Sequence, residues 1–130
     1  MKYLKAFIAG LALPATALPL MLIITALAGK GYIVSIFAIH MLPLVWGLWN
    51  VLHAVGHKKK CPVCGNPTVM GAILGLIVAL YAVFVVRITF VLGINPLFTY
   101  CPVIMAPITY ALLWHYVVKP LNKTFGVYKK

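Results

Sequence analysis

Four apolar stretches, each of roughly 20 residues, take up most of this sequence, at residues 6–28, 33–55, 68–92 and 102–118. A helix of about 20 apolar residues is long enough to cross the hydrocarbon core of a bilayer, which is ~30 Å thick. We therefore predict an all-α integral membrane protein, in which four transmembrane helices form a bundle and a single membrane domain covers residues 1–130.

The composition agrees with a membrane environment and excludes several activities. The chain has no aspartate or glutamate, 65% of its residues are apolar, and only 8% are charged, against about a quarter in an ordinary soluble domain. Without carboxylates it cannot be a paired-carboxylate hydrolase, hold a Ser-His-Asp triad, or transport protons through a membrane Asp or Glu. The sequence does not indicate an enzyme.

The basic residues predict an orientation. They give a net charge of +11 and flank the apolar stretches, so we expect contacts with anionic lipid headgroups rather than with nucleic acid. With four crossings, nine of them lie on one side: Lys2, Lys5, Lys58, Lys59, Lys60, Lys119, Lys123, Lys129 and Lys130. The positive-inside rule then predicts that both termini lie in the cytoplasm. We expect the chain to lie in the inner membrane. Residues 26–28 resemble a cleavage site, so removal of residues 1–28 as a signal peptide stays open.

One loop carries a motif typical of metal ligands. The run C-P-V-C-G at residues 61–65 resembles one knuckle of a zinc ribbon or rubredoxin-like site, in which such a turn aims two thiolates at one metal. A full ribbon needs a second knuckle, which this sequence lacks. His53 and His57 share a helix face and can supply the other two ligands of a tetrahedral zinc site. We predict a cytoplasmic zinc clip of His53, His57, Cys61 and Cys64; a plain loop with reduced cysteines and a redox pair are the alternatives.

Other positions are candidates for packing or ligand contact. Gly71, Gly75 and Ala79 recur at every fourth position, and small residues at that spacing let helix backbones approach closely. We predict that they face another helix. Arg87 is the only charge well inside a predicted span, so we expect it to snorkel to the interface or, with His40, to contact a lipid, an anion or a quinone headgroup.

Three functions remain open at this point. We favour an accessory or scaffold subunit of a membrane complex, with other membrane subunits or further copies of the chain as partners. The alternatives are an oligomeric transporter or channel for an anion or small molecule, and an electron-transfer subunit that binds haem or quinone. Haem b between His115 and His53 or His57 is the less favoured cofactor after zinc. Asn50 can hydrogen-bond across helices.

Overall fold

The computed structural model describes residues 1–128, so the parts of the predictions that involve Lys129 and Lys130 lie outside the described residues. The described residues form helices and turns, without a strand. The α-helices are α1 (Lys2–Leu27), α2 (Phe37–His40), α3 (Leu42–Lys58), α4 (Pro67–Leu80), α5 (Ile88–Val91), α6 (Cys101–Leu113) and α7 (Lys119–Thr124). The described residues divide into two compact units, Met1–Val55 with residues 120–128, and Gly56–Lys119.

Three helical segments are long and apolar enough to cross a membrane. They are Lys2–Leu27, Pro67–Val85 and Cys101–Thr124, with mean hydropathies of 2.2, 2.5 and 1.5. The second continues α4 through a π-helical turn, Tyr81–Val85, and the third joins α6 and α7 through another, Trp114–Val118. The prediction of an all-helical membrane protein is confirmed at this level.

The predicted second span, residues 33–55, is not one helix. It is divided into a 3-10 helix, Gly31–Ser35, the short α2, and the 17-residue α3. Pro43 lacks the N–H that would continue the hydrogen bonding of α2, and it lies instead in the first turn of α3, where no such donor is needed. A helix of 17 residues is at the lower limit of about 17–25 residues for a crossing, so a fourth span through α3 stays a prediction.

The predicted third span, residues 68–92, also ends early. The continuous helix stops at Val85, and Arg87 adopts a left-handed backbone conformation with φ of 53°. This conformation is uncommon for residues other than glycine and cannot continue a right-handed helix. Arg87 therefore follows the end of the helix instead of lying within it, which corrects the predicted boundary.

In the first unit, α1 packs closely against α3. A Cβ atom at Gly10 would lie 2.6 Å from the Cβ of Asn50 and 2.7 Å from the carbonyl oxygen of Trp46. A Cβ atom at Gly47 would lie 2.6 Å from the ring of Phe7. Glycine at these positions lets the two helix backbones approach closely, which places Asn50 directly against α1.

In the second unit, α4 and α6 pack against each other in antiparallel directions. A Cβ atom at Gly71 would lie 2.5 Å from the carbonyl oxygen of Tyr110, and one at Gly75 would lie 2.6 Å from that of Ala106. Later residues of α4 thus lie beside earlier residues of α6, so the two helices run in opposite directions. Ala79, one turn further along α4, is also buried.

Candidate functional site

Helix caps define both ends of the loop between α3 and α4. The N–H of Cys61 donates to the carbonyl oxygen of Gly56 at 3.1 Å, and that of Lys60 donates to the carbonyl oxygen of His57 at 3.2 Å. This pair of bonds is the Schellman motif, with Lys60 at φ 54° in the left-handed position that glycine usually takes. The side chain of Asn66 caps the N-terminus of α4. The loop is therefore held in one conformation by both helices.

Between these caps, residues 61–65 form a tight turn around one sulfur atom; we call this turn the knuckle. The N–H of Cys64 donates to Sγ of Cys61 at 3.3 Å, and the N–H of Val63 also stabilises the Cys61 thiolate. The N–H of Gly65 donates to the carbonyl oxygen of Cys61 at 2.8 Å. A Cβ atom at Gly65 would lie only 2.6 Å from that oxygen, so the turn requires glycine there.

The two thiols of the knuckle differ in acidity. A hydrogen bond from the side chain of Cys64, followed by the bond from its backbone N–H, lowers the pKa of Cys61 below its ordinary value, because both favour the thiolate. The same side-chain bond raises the pKa of Cys64, which must give up the donated proton to ionise, and desolvation adds to this. None of the three cysteines of the chain is in a disulfide. The knuckle thus presents two half-buried sulfurs in one turn.

The knuckle folds back on the end of α3. A Cβ atom at Gly56 would collide with the Cβ of Cys64, and one at Gly65 would lie 3.6 Å from the Cα of His57. The side chain of His57 and the three lysines at 58–60 are exposed. The two sulfurs are therefore flanked by a cationic segment and one accessible imidazole.

The structure brings together the two cysteines of the predicted zinc clip in this turn. Together with His57 they belong to the second unit, whereas His53 belongs to the first. His53 is fully buried, and its Nε2 lies 2.9 Å from the hydroxyl of Tyr128. Over residues 1–128, no three His, Cys, Asp or Glu side chains are grouped as metal ligands are. The four-ligand clip stays a prediction.

A buried polar cluster connects α1, α3 and α7 in the first unit. Nδ2 of Asn50 donates to the carbonyl oxygen of Ala6 at 2.6 Å and to Oδ1 of Asn122 at 2.8 Å. Nδ2 of Asn122 donates back to Oδ1 of Asn50 at 2.8 Å and to the hydroxyl of Tyr128 at 3.2 Å. Both amides are fully buried, so each needs its partner. The prediction that Asn50 bonds across helices is confirmed.

Sequence reasoning missed Asn122 and Tyr128 as parts of this cluster. The predicted fourth span ends at residue 118, and Asn122 lies beyond that end. In the structure the helix continues to Thr124, which carries Asn122 to a partner 72 positions away in the chain. A predicted helix that continued past residue 118 would have included Asn122 and indicated a place for it in the bundle.

The remaining candidate residues contact neighbours in their own units. In the first unit, Nε2 of His40 lies 2.7 Å from the carbonyl oxygen of Val34. In the second, Nδ1 of His115 lies 3.1 Å from the hydroxyl of Thr68, and Arg87 is exposed. Contact of His40 or Arg87 with a lipid, an anion or a quinone stays a prediction, as does haem at His115.

Comparison with known proteins identifies no relative, because no family model, curated protein or solved structure matches the chain. The fold and the loop define the class of this molecule, a small all-helical membrane protein that carries two thiols in one tight turn. Its function must therefore be inferred from this turn and from the apolar helices.

Proposed function

We propose that this chain is a small multi-pass protein of the inner membrane that serves as an accessory or scaffold subunit of a membrane complex and binds a metal ion through the knuckle. The observation that carries the proposal is the hydrogen bonding of residues 61–65. Backbone N–H groups are directed at Sγ of Cys61, and this support stabilises the thiolate form that binds metals.

Zinc is the metal that this chemistry favours. Thiolates bind zinc at ~2.3 Å, and a tetrahedral site takes four ligands from Cys and His. The knuckle supplies two of them from one turn. In the predicted clip the other two are His53 and His57; ligands from a partner chain are the alternative. Zinc would fasten the basic loop to the end of α3.

The proposed topology has four crossings, with α3 as the second. It is supported by the exposed lysines at 58–60, of which the first ends α3 and the other two follow it directly, and by the positive-inside rule. The knuckle and both termini then lie in the cytoplasm, where thiols are kept reduced and are available as ligands.

The scaffold role is supported by the apolar surface that the long helices leave uncovered. Only 17% of the most apolar window of Lys2–Leu27, and 11% of that of Cys101–Thr124, is buried within the described chain. Lipid tails cover such surface in an isolated subunit, and neighbouring helices cover it in a complex. The transporter and electron-transfer alternatives stay predictions of the sequence.

Metal analysis of the full chain, purified in mild detergent after growth with zinc, tests the metal-binding part. We expect bound zinc in the parent and in a matched Cys101→Ser control, and its loss in a Cys61→Ser, Cys64→Ser double variant. Zinc that persists in the double variant, or a parent that holds none, would contradict the proposal.

The scaffold part needs a separate measurement. A tagged chain purified from its native membrane should carry a defined membrane protein at a fixed ratio, and that complex should fail to assemble when the chain is deleted. Assembly that proceeds normally without the chain would contradict a scaffold role.

A further inference from the structure

We propose that the knuckle is one half of a tetrathiolate metal site, and that the same knuckle in a second copy of this chain supplies the other half. This inference rests on the proposed function, namely that residues 61–65 bind a metal ion. The metal lies on a two-fold axis that relates the copies, which is the commonest symmetry of protein dimers.

The first argument for a shared site is the number of ligands that one chain can supply. A structural zinc site takes four, and each knuckle gives two sulfurs. Recruiting His53 would break its contact with the hydroxyl of Tyr128, which lies 2.9 Å from Nε2. Cys101 begins α6, and the antiparallel packing places it at the end of the α4–α6 pair remote from the knuckle. A second copy brings two more sulfurs in the same preformed geometry, without any change in the fold of either chain.

The exposure of the knuckle allows a second copy to reach it. Pro62 and Val63 form its outer edge and are exposed, Val63 by 50%, while both sulfurs are half-buried. The Schellman motif before the knuckle and the Asn66 cap after it keep this edge in place. Two such turns can face each other across a metal ion with little loss of conformational freedom.

Charge favours four thiolates over two. Zinc with two thiolates and two neutral imidazoles has no net charge, which leaves the lysines at 58–60 without a counter-ion in a chain that has no carboxylate side chain. Zinc with four thiolates has an excess of two negative charges, and six lysines, three from each copy, surround it. Without metal the same lysines repel each other, so pairing of the two loops depends on the ion.

The proposed topology makes the pairing feasible in a membrane. Copies inserted in the same orientation present their loops at the same height on the same face. A two-fold axis along the membrane normal then brings two knuckles together. Confinement to one bilayer also raises the effective concentration of each copy for the other.

A zinc titration of the full chain tests the shared site. Protein purified in detergent is stripped with a chelator, titrated with zinc and measured by native mass spectrometry. We expect half a zinc ion per chain at saturation, a mass twice that of the chain, and return to the monomer after chelation. Cys101→Ser should behave like the parent, and the Cys61→Ser, Cys64→Ser variant should neither bind zinc nor pair.

The outcomes separate the two proposals. One zinc per chain in a monomer, lost in His53→Ala or His57→Ala, would overturn the shared site and leave metal binding by the knuckle intact. A parent that takes up no zinc would overturn both. Circular dichroism checks that the serine variant is folded, and if it is not, the stoichiometry and mass of the parent alone decide the question.

Discussion

Replacing Gly75 with alanine tests the close contact between α4 and α6. The new Cβ atom would lie 2.6 Å from the carbonyl oxygen of Ala106 and 2.8 Å from the Cβ of Tyr110. A backbone oxygen cannot turn aside as a flexible side chain can. The helices must therefore separate by about 0.4 Å to bring the first contact to 3.0 Å, and by about 0.8 Å to bring it to 3.4 Å.

The energetic effect has two opposing parts. Overpacking of a close contact costs about 1–3 kcal/mol, and the higher helix propensity of alanine over glycine returns about 1 kcal/mol. We expect a net decrease of about 1 kcal/mol in the free energy of unfolding for Gly75→Ala. Gly75→Leu should lower it further, because the larger side chain must displace α6.

Unfolding in mixed micelles with increasing SDS, followed by circular dichroism, measures this difference. Gly31→Ala is the matched control, because a Cβ atom at Gly31 meets nothing within 4 Å, and it should unfold at the same SDS fraction as the parent. If Gly75→Ala is as stable as the parent, or more stable, while the control is unchanged, the helices do not approach as closely as described.

Three further experiments probe the polar cluster, the Schellman motif and the knuckle. Asn122→Leu leaves the amide of Asn50 without its main partner, so the free energy of unfolding in the SDS titration should fall by about 1–3 kcal/mol; no change would show that the cluster is dispensable. Lys60→Gly relieves a left-handed backbone and should raise the thermal midpoint, with a gain of up to about 1 kcal/mol, and a lower midpoint would argue against the Schellman motif. In metal-free protein, pulses of iodoacetamide read by peptide mass spectrometry should modify Cys61 at a lower pH than Cys64, since the pKa of the first is lowered and that of the second raised; equal profiles would rule out the hydrogen bond between them.

The membrane class could be predicted because hydropathy over about 20 residues does not depend on tertiary contacts. The same average is insensitive to the conformation of single residues. It therefore did not indicate that the predicted second span is divided at Pro43, or that the helix of the third span ends before Arg87. Both interruptions are set by one residue each, within a stretch that remains apolar throughout.

The knuckle could be predicted from the sequence and the polar cluster could not, because the first depends on neighbouring residues and the second on distant ones. Residues 61–65 are adjacent in the chain, so a motif of five residues was enough to predict a turn that supports one sulfur. The contact of His53 with Tyr128 joins positions 75 residues apart. Pairing across that distance depends on how the helices pack, which sequence spacing alone does not specify.

Cysteine labelling in intact cells is the most direct test of the four-crossing topology. A variant with Cys61→Ser and Cys64→Ser keeps only Cys101, and a Cys101→Ser variant keeps only the knuckle. With α3 as a crossing, a membrane-impermeant maleimide should label Cys101 from outside, and should label the knuckle only after the cells are opened and zinc is chelated. If α3 does not cross and the N-terminus stays in the cytoplasm, the two sides are exchanged. Labelling of the knuckle in intact cells, with Cys101 protected, would contradict the four crossings and the cytoplasmic metal site together.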